Sequence, residues 1–193
     1  AAPDLVIRGA EWLGEQSDLL VFRGKVVELL PHDDSRAHEG ANVVDADGLT
    51  LLPSLMDCHV HLREPGQEYK EEIRTGLAAA AHGGFGSVMA MANTTPINDE
   101  ASVTEAMLLA AKKSWPKGPR LLPVGALTKG LKGEELAPMA ELAREGCVAF
   151  SNDGLPVAST ELMRRAVEYA SDLGMLVIDH CEDPWLGKGA GMN

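Results

Sequence analysis

The chain has few cysteines, a shortage of basic residues and no long apolar run. Its 193 residues include 17 Lys and Arg against 29 Asp and Glu, which gives a formal net charge of -12. Nucleic acids and anionic membrane surfaces attract basic patches, so this balance argues against both and favours a small metabolite as partner. Apolar runs stay below the ~18 residues that a membrane helix needs. The first residues, AAPDLVIRG, also lack the basic head and hydrophobic stretch of a signal peptide.

The three cysteines, Cys58, Cys147 and Cys181, match no zinc-ribbon or redox spacing. We therefore expect reduced thiols in a cytoplasmic protein. Cys58 and Cys147 are predicted to be small buried apolar residues, whereas Cys181 lies beside a candidate ligand and its role is left open. With 45% hydrophobic residues, a chain of this length can bury a substantial core in one or two domains.

The N-terminal part of the chain has a β pattern. From Leu5 onward, short runs rich in Val and Leu are separated by tight turns such as the one at Gly24. This pattern predicts a small antiparallel β unit over residues 1–52. Its histidines, His32 and His38, lie in the polar stretch PHDDSRAHEG and are predicted to be solvent-exposed loop residues rather than ligands.

After this unit, strand patterns alternate with helix patterns. The predicted helices cover residues 68–82, 100–113, 134–145 and 159–173, and five strands precede, separate or follow them. Such alternation predicts an α/β fold with parallel strands, as in a (β/α)8 TIM-type barrel. A complete barrel takes roughly 250 residues, so we expect residues 53–193 to hold about the first five strands of a barrel truncated at the C-terminus. The sequence ends in the Gly-rich stretch GKGAGMN.

The first strand of this region carries two histidines at its end. The stretch LLPSLMDCHVHLREPG runs from an apolar segment into His-Val-His and then into a turn signal. Side chains alternate along a strand, so His59 and His61 share one face, with Asp57 below them. Two imidazoles at this spacing suit zinc. The His-x-His pattern alone is a weak motif, and its flanking residues strengthen it.

Further polar residues follow the later predicted strands. Asn93 follows the second, Asp153 the fourth and His180 the fifth. Each has an ordinary structural explanation by itself, because Asn-Asp-Gly is a common turn and a lone histidine at a strand end is usually no ligand. Parallel strands nevertheless deliver the residues at their ends to one rim, which is the active-site face of a (β/α) barrel. The pattern therefore predicts that these residues converge on the histidine pair.

The motifs resemble those of a known enzyme family. HVHLREPG resembles the dihydroorotase signature of the amidohydrolase superfamily, and MANTTP, ALTKGLKGEEL, AFSNDG and DHCED resemble successive blocks of the type I bacterial enzymes. Ser54 stands where glycine is common in that family, a change between two small residues.

This resemblance implies roles for individual residues. His59 and His61 would hold one zinc ion, Asp153 would be a metal ligand able to bridge two ions, and His180 would bind the second. The number of zinc ions, one or two, is left open. A carboxylated lysine bridges the metals in many cyclic amidohydrolases, so Asp153 at the matching position favours type I dihydroorotase over a hydantoinase or allantoinase.

The resemblance also implies a substrate and a reaction. Arg63 and Asn93 would grip the substrate carboxylate, a task that suits the two parallel donors of a guanidinium group. The reaction would be the interconversion of dihydroorotate and N-carbamoyl-L-aspartate in pyrimidine biosynthesis. The general base and a later histidine ligand would lie beyond Asn193, so no catalytic base is assigned within the chain.

Two alternatives and several partners are left open. The chain could be a non-catalytic dihydroorotase-like scaffold for aspartate transcarbamoylase, or a cyclic amidase of the hydantoinase or allantoinase type, with Arg63 as the discriminating residue. The expected partners are the substrate, aspartate transcarbamoylase or a complementary C-terminal fragment, and further copies of the chain in a homo-oligomer.

Overall fold

The structure, a computed structural model, describes residues 2–183, 185 and 186. Two compact units, Ala1–Pro53 and Ser54–Asn193, divide the chain, and each contains one β-sheet. No helix in the described ranges combines the length and hydropathy needed to cross a membrane. The Gly-rich stretch at 187–193 lies outside the described residues.

The first unit is a four-stranded sheet of β1 (Leu5–Trp12), β2 (Glu15–Phe22), β3 (Lys25–Pro31) and β4 (Asn42–Asp45). The strands lie in the order β3-β2-β1-β4. Two-residue turns with positive φ at both positions join the first three strands into antiparallel hairpins. β4 instead pairs in parallel with β1, because the long connection from β3 carries the chain to the opposite edge of the sheet. The sheet is therefore mixed rather than wholly antiparallel.

The prediction that His32 and His38 are solvent-exposed is wrong. Their side chains are only 16% and 6% exposed, and both face the fully buried carboxylate of Asp18. His32 Nδ1 lies 2.7 Å from Asp18 Oδ1, and the Gly9 N–H donates to the same oxygen at 2.9 Å. Arg36 contacts the other oxygen at 3.3 Å. A hydrophilic loop is thus folded onto the sheet because a buried carboxylate needs several partners.

These contacts change the protonation equilibria of the pair. Burial disfavours the charged form of Asp18, but the hydrogen bonds from His32 and Gly9, with the nearby charges of His32 and Arg36, outweigh it and lower the pKa of Asp18. The hydrogen bond to Asp18 raises the pKa of His32. His38 Nε2 is 3.9 Å from Asp18 and has no hydrogen-bond partner among the described residues.

The second unit is a parallel β/α array. Its strands lie side by side in chain order, namely β5 (Leu55–Val60), β6 (Phe85–Ala90), β7 (Arg120–Ala126), β8 (Ala149–Ser151) and β9 (Leu176–Ile178). All four neighbouring pairs are parallel. The intervening helices are α1 (Ile73–His82), α2 (Ala101–Ser114), α3 (Met139–Glu145) and α4 (Thr160–Asp172). This curled sheet with its helices confirms the prediction of a partial TIM-type barrel of five strands.

Two helices begin later than the sequence pattern predicts. α1 begins at Ile73 rather than near residue 68. The Glu64 carboxylate accepts the Ile73 N–H at 2.7 Å, and this contact marks the first turn of the helix. α3 begins only after Pro138, which suits the first turn of a helix and disfavours an earlier start. α4 begins where predicted, since Ser159 Oγ accepts the Leu162 N–H at 3.2 Å as an N-cap.

The middle strands are buried on both faces. Val88 and Ala90 face the helices and pack in a cluster that includes Leu77 and Met107. Met89 packs on the opposite face of the sheet in a separate cluster. Such two-sided burial explains the unbroken apolar run of β6, which is typical of parallel sheets. It also fixes the strand ends, and with them the polar residues that follow.

The three cysteines differ in exposure, and all are free thiols. Cys147 is 4% exposed and lies in the core beneath α3 and α4, as predicted. Cys58 is exposed, so its predicted burial is wrong. It lies on β5, an edge strand among the described strands, in which four of the six residues are exposed.

Candidate metal centre

The two histidines at the end of β5 point to the same place. His59 belongs to β5 and His61 follows its last residue. Their ring centroids are 5.2 Å apart at an interplanar angle of 74°. The Asp57 carboxylate accepts the His59 N–H at 3.0 Å, close to an irregularity in the β5–β6 pairing between Asp57 and Val60. The contact between the Asp57 carboxylate and the His59 N–H therefore stabilises a strand end at which the two imidazoles lie together.

Asp153 contacts both imidazole rings from the end of a more distant strand of the same sheet. It follows β8, and its side chain is 10% exposed. Asp153 Oδ1 lies 3.3 Å from His59 Nε2, and Oδ2 lies 3.4 Å from His61 Nε2. One donor atom from each of the three residues falls within 4.8 Å of the others. Two strands that are not neighbours thus contribute to one group that could hold a metal ion.

The spacing and the donor atoms of this group suit a metal ion. Zinc ligands lie about 2.0–2.2 Å from the ion in a tetrahedron, so two ligand atoms are about 3.3–3.6 Å apart. The observed nitrogen-to-oxygen separations of 3.3 and 3.4 Å fall in this range, although each runs to a different oxygen of Asp153. An N–H···O hydrogen bond is usually shorter, about 2.9–3.0 Å. Two imidazole nitrogens and a carboxylate oxygen are also a common zinc ligand set.

His180 approaches the same carboxylate but stands apart from the three-residue group. Its Nδ1 is 3.4 Å from Asp153 Oδ1, and its Nε2 bonds to Glu182 Oε2 at 2.9 Å. This hydrogen bond, with help from the charge of Asp153, raises the pKa of His180. Asp153 Oδ1 therefore lies between His59 and His180, while Oδ2 faces His61.

Asn93, predicted to bind the substrate, lies between two of the candidate ligands. His61 Nδ1 is 2.9 Å from its Oδ1, and its Nδ2 donates to Asp153 Oδ2 at 3.4 Å. Asn93 follows β6, the neighbour of β5, so the rim position predicted from the sequence brings it to the site. Its role toward substrate stays a prediction.

Arg63 lies in a tightly held loop directly after the histidine pair. Its φ of +57° and the bond from the Glu64 N–H to the Leu62 carbonyl at 2.7 Å form a γ-turn. The Thr95 N–H donates to the Pro65 carbonyl at 2.9 Å and ties this loop to the one after β6. The Arg63 side chain has no hydrogen-bond or ion-pair partner among the described residues.

Sequence reasoning missed the residue that holds Asp153 in place. Asn152 is 2% exposed, and its Oδ1 accepts the Thr128 N–H at 3.0 Å. Its Nδ2 donates to Thr128 Oγ1 at 2.7 Å and to the Leu131 carbonyl at 3.3 Å. Asn152 thus joins the end of β8 to the loop after β7. Its place before Asp153 gave no signal, because Asn-Asp-Gly is a common turn sequence.

Comparison with known proteins identifies the family. The profile of the family described as "Dihydro-orotase-like" matches residues 48–192. The chain belongs to the dihydroorotase-like family. A protein named dihydroorotase from Desulforapulum autotrophicum is 50% identical over 181 residues, which are 94% of this chain and 42% of that protein. Another from Geobacter metallireducens is 48% identical over 187 residues, 97% of this chain and 43% of that protein. This member of the family therefore spans less than half the length of these curated relatives.

Solved structures support the fold. The L-hydantoinase (dihydropyrimidinase) from Arthrobacter aurescens has a TM-score of 0.77 at 20% identity, over 93% of this chain and 41% of that one. The D-hydantoinase (dihydropyrimidinase) from a Thermus species has a TM-score of 0.69 at 20% identity, over 94% and 41%. The chain thus shares its fold with these two structures.

Proposed function

We propose that this chain forms the metal-binding part of a zinc-dependent dihydroorotase, a cyclic amide hydrolase that interconverts dihydroorotate and N-carbamoyl-L-aspartate. The observation that carries the proposal is the convergence of His59, His61 and Asp153 at separations that suit zinc ligands. Family membership supports the substrate, because the relatives described above are named dihydroorotase. The proposal places this reaction in pyrimidine biosynthesis and the chain in the cytoplasm.

In this proposal the ligands come from three strand ends. His59, His61 and Asp153 hold one zinc ion, and His180 serves a second position that shares Asp153. When bound, zinc polarises a carbonyl group and makes water available as a nucleophile near neutral pH. Glu182 orients His180 through its hydrogen bond. The proposal assigns no general base to residues 1–193.

Arg63 and Asn93 are proposed to bind the substrate carboxylate. A guanidinium group can donate two parallel hydrogen bonds to a carboxylate, and the loop contacts around Arg63 hold its backbone beside the zinc ligands. One N–H of the Asn93 amide is engaged with Asp153, which leaves its second N–H for a substrate oxygen.

The proposed partners follow from the family resemblance. Aspartate transcarbamoylase, a complementary C-terminal fragment and further copies of the chain are the candidates. Native mass spectrometry distinguishes them, since the chain alone has a mass of 20.5 kDa.

Metal binding is the first test of this function. Zinc bound by the purified chain is measured by native and elemental mass spectrometry for the wild type, His59→Ala and Asp153→Ala. We expect one or two zinc ions in the wild type and a loss in both variants. His82→Ala is the matched control, because His82 ends α1 and bonds only to the Ala78 carbonyl among the described residues. An unaltered zinc content in Asp153→Ala would contradict the proposed ligand set.

Substrate binding is the second test. Calorimetry with dihydroorotate and with N-carbamoyl-L-aspartate compares the zinc-loaded wild type with Arg63→Met. Arg63→Met should lose most of the affinity for both molecules because the carboxylate loses its bidentate partner. Equal affinities would remove Arg63 from the site and favour another ring substrate.

A further inference from the structure

One amide side chain links two of the candidate zinc ligands. The Asn93 Oδ1 lies 2.9 Å from His61 Nδ1, and Nδ2 lies 3.4 Å from Asp153 Oδ2. The same Oδ2 is 3.4 Å from His61 Nε2. The three residues therefore close a ring of polar contacts, in which Asn93 touches the nitrogen of His61 that faces away from Asp153.

The orientation of this amide follows from its neighbours. An ionised carboxylate only accepts hydrogen bonds, so the amide must turn its NH2 group toward Asp153. Its carbonyl oxygen then faces His61, and a carbonyl oxygen also only accepts. His61 Nδ1 must therefore carry a proton to make the 2.9 Å bond. In a neutral imidazole the other nitrogen, Nε2, is then left with a free lone pair.

His59 lacks this arrangement, although it lies two residues away. Its backbone N–H is bonded to Asp57, and its ring contacts Asp153 through Nε2. No hydrogen bond to its Nδ1 occurs among the described residues. The two histidines thus differ in one respect: an amide oxygen fixes the proton of His61, and none fixes that of His59.

We propose that Asn93 is a positioning residue that holds His61 in its Nδ1–H tautomer and so presents the Nε2 lone pair toward the zinc position. Only the identity of the bound metal rests on the proposed function, because the tautomer is a property of the metal-free chain. Groups that orient a metal-binding histidine through its second nitrogen typically change metal affinity 10–100-fold when they are removed.

The tautomer is measured directly by NMR. Long-range 1H–15N correlation spectra of the 15N-labelled, metal-free chain are recorded at a pH where the histidines are neutral. In the wild type, His61 should show a protonated Nδ1 and an unprotonated Nε2. In Asn93→Ala, His61 should change to the Nε2–H form, whereas the signals of His59 should stay as they are in the wild type.

Zinc affinity is the second readout, measured by competition with a chelating dye. Asn93→Ala should bind zinc 10–100-fold more weakly than the wild type. Asn42→Ala is the matched control, because Asn42 is an exposed residue of the first unit, and should change neither readout. A wild-type His61 in the Nε2–H form, or an unchanged tautomer in Asn93→Ala, overturns the inference. A changed tautomer with unchanged zinc affinity overturns the positioning role.

These outcomes separate the inference from the function on which it rests. A wild-type chain that binds no zinc contradicts the proposed function, and the NMR spectra still decide whether Asn93 sets the tautomer. Circular dichroism of each variant shows whether the fold is kept. If Asn93→Ala does not fold, the wild-type spectrum alone can overturn the tautomer assignment.

Discussion

Replacing Asn152 with alanine should destabilise the second unit strongly, although Asn152 is proposed neither as a ligand nor as a substrate group. The change removes the acceptor of the Thr128 N–H, both contacts between the Thr128 hydroxyl and the Asn152 amide, and the donor to the Leu131 carbonyl. The Thr128 hydroxyl keeps its contact with the Gly133 N–H at 3.0 Å. Thr128 is 0% exposed, so water cannot replace the lost acceptor. An unsatisfied buried N–H costs about 1–3 kcal/mol, and the other lost hydrogen bonds cost about 1 kcal/mol or more together, so the destabilisation is at least about 2–4 kcal/mol.

The assay must report the second unit alone, because two compact units need not unfold together. The indole N–H of Trp115, which donates to the Arg74 carbonyl at 3.0 Å, gives one NMR signal within that unit. Its loss in urea should shift to lower concentration by about 1–2 M in Asn152→Ala. Glu105→Ala, at an exposed position of α2, should stay within about 0.5 kcal/mol of the wild type. A shift in Asn152→Ala as small as this control would refute the reasoning.

Two further predictions concern the loop after β5 and the buried pair of the first unit. Gly66→Ala should destabilise the second unit more than Gly174→Ala does, as measured by urea unfolding. Both glycines have positive φ, but a Cβ at Gly66 would also overlap the Thr95 carbonyl. Equal effects of the two substitutions would contradict this overlap. The His32–Asp18 pair should stabilise the first unit most between pH 3.8 and 6.5, the ordinary values of the two groups. Stability should fall above pH 6.5 as pH rises through the raised pKa of His32, and below 3.8 as pH falls through the lowered pKa of Asp18. Melting temperatures of the wild type and His32→Ala across this range test this, and parallel curves would contradict it.

The parts of the fold that the sequence predicts are those set by local patterns. Two-residue turns, the apolar run of β6 and the Ser159 cap each carry their signal within a few residues, so the hairpins, β6 and the start of α4 are predicted close to their observed positions. The order of the strands along the chain then predicts which residues lie at the rim, because the carboxyl ends of consecutive parallel strands lie on the same side of the sheet. That rule, and not any single motif, brought Asn93, Asp153 and His180 to the histidine pair.

The sequence could not predict contacts that depend on distant partners. His38 is buried because its loop packs over Asp18 of β2. Nothing within PHDDSRAHEG indicates that this carboxylate lies nearby. Cys58 has the same local pattern as a buried strand residue, but its strand lies at the edge of the described sheet. The sequence predicts the position of Asn93 at the rim, whereas its contacts with His61 and Asp153 depend on the three-dimensional structure.

The distribution of the candidate ligands along the chain has a consequence for folding. Asn93 lies 32 residues from His61 and 60 from Asp153, and these groups meet only after β8 has joined the sheet. Contacts between residues so far apart form late, because loop-closure entropy opposes them until most of the structure is in place. A metal ion bound here would therefore stabilise the finished sheet by mass action, without guiding the early steps of its assembly.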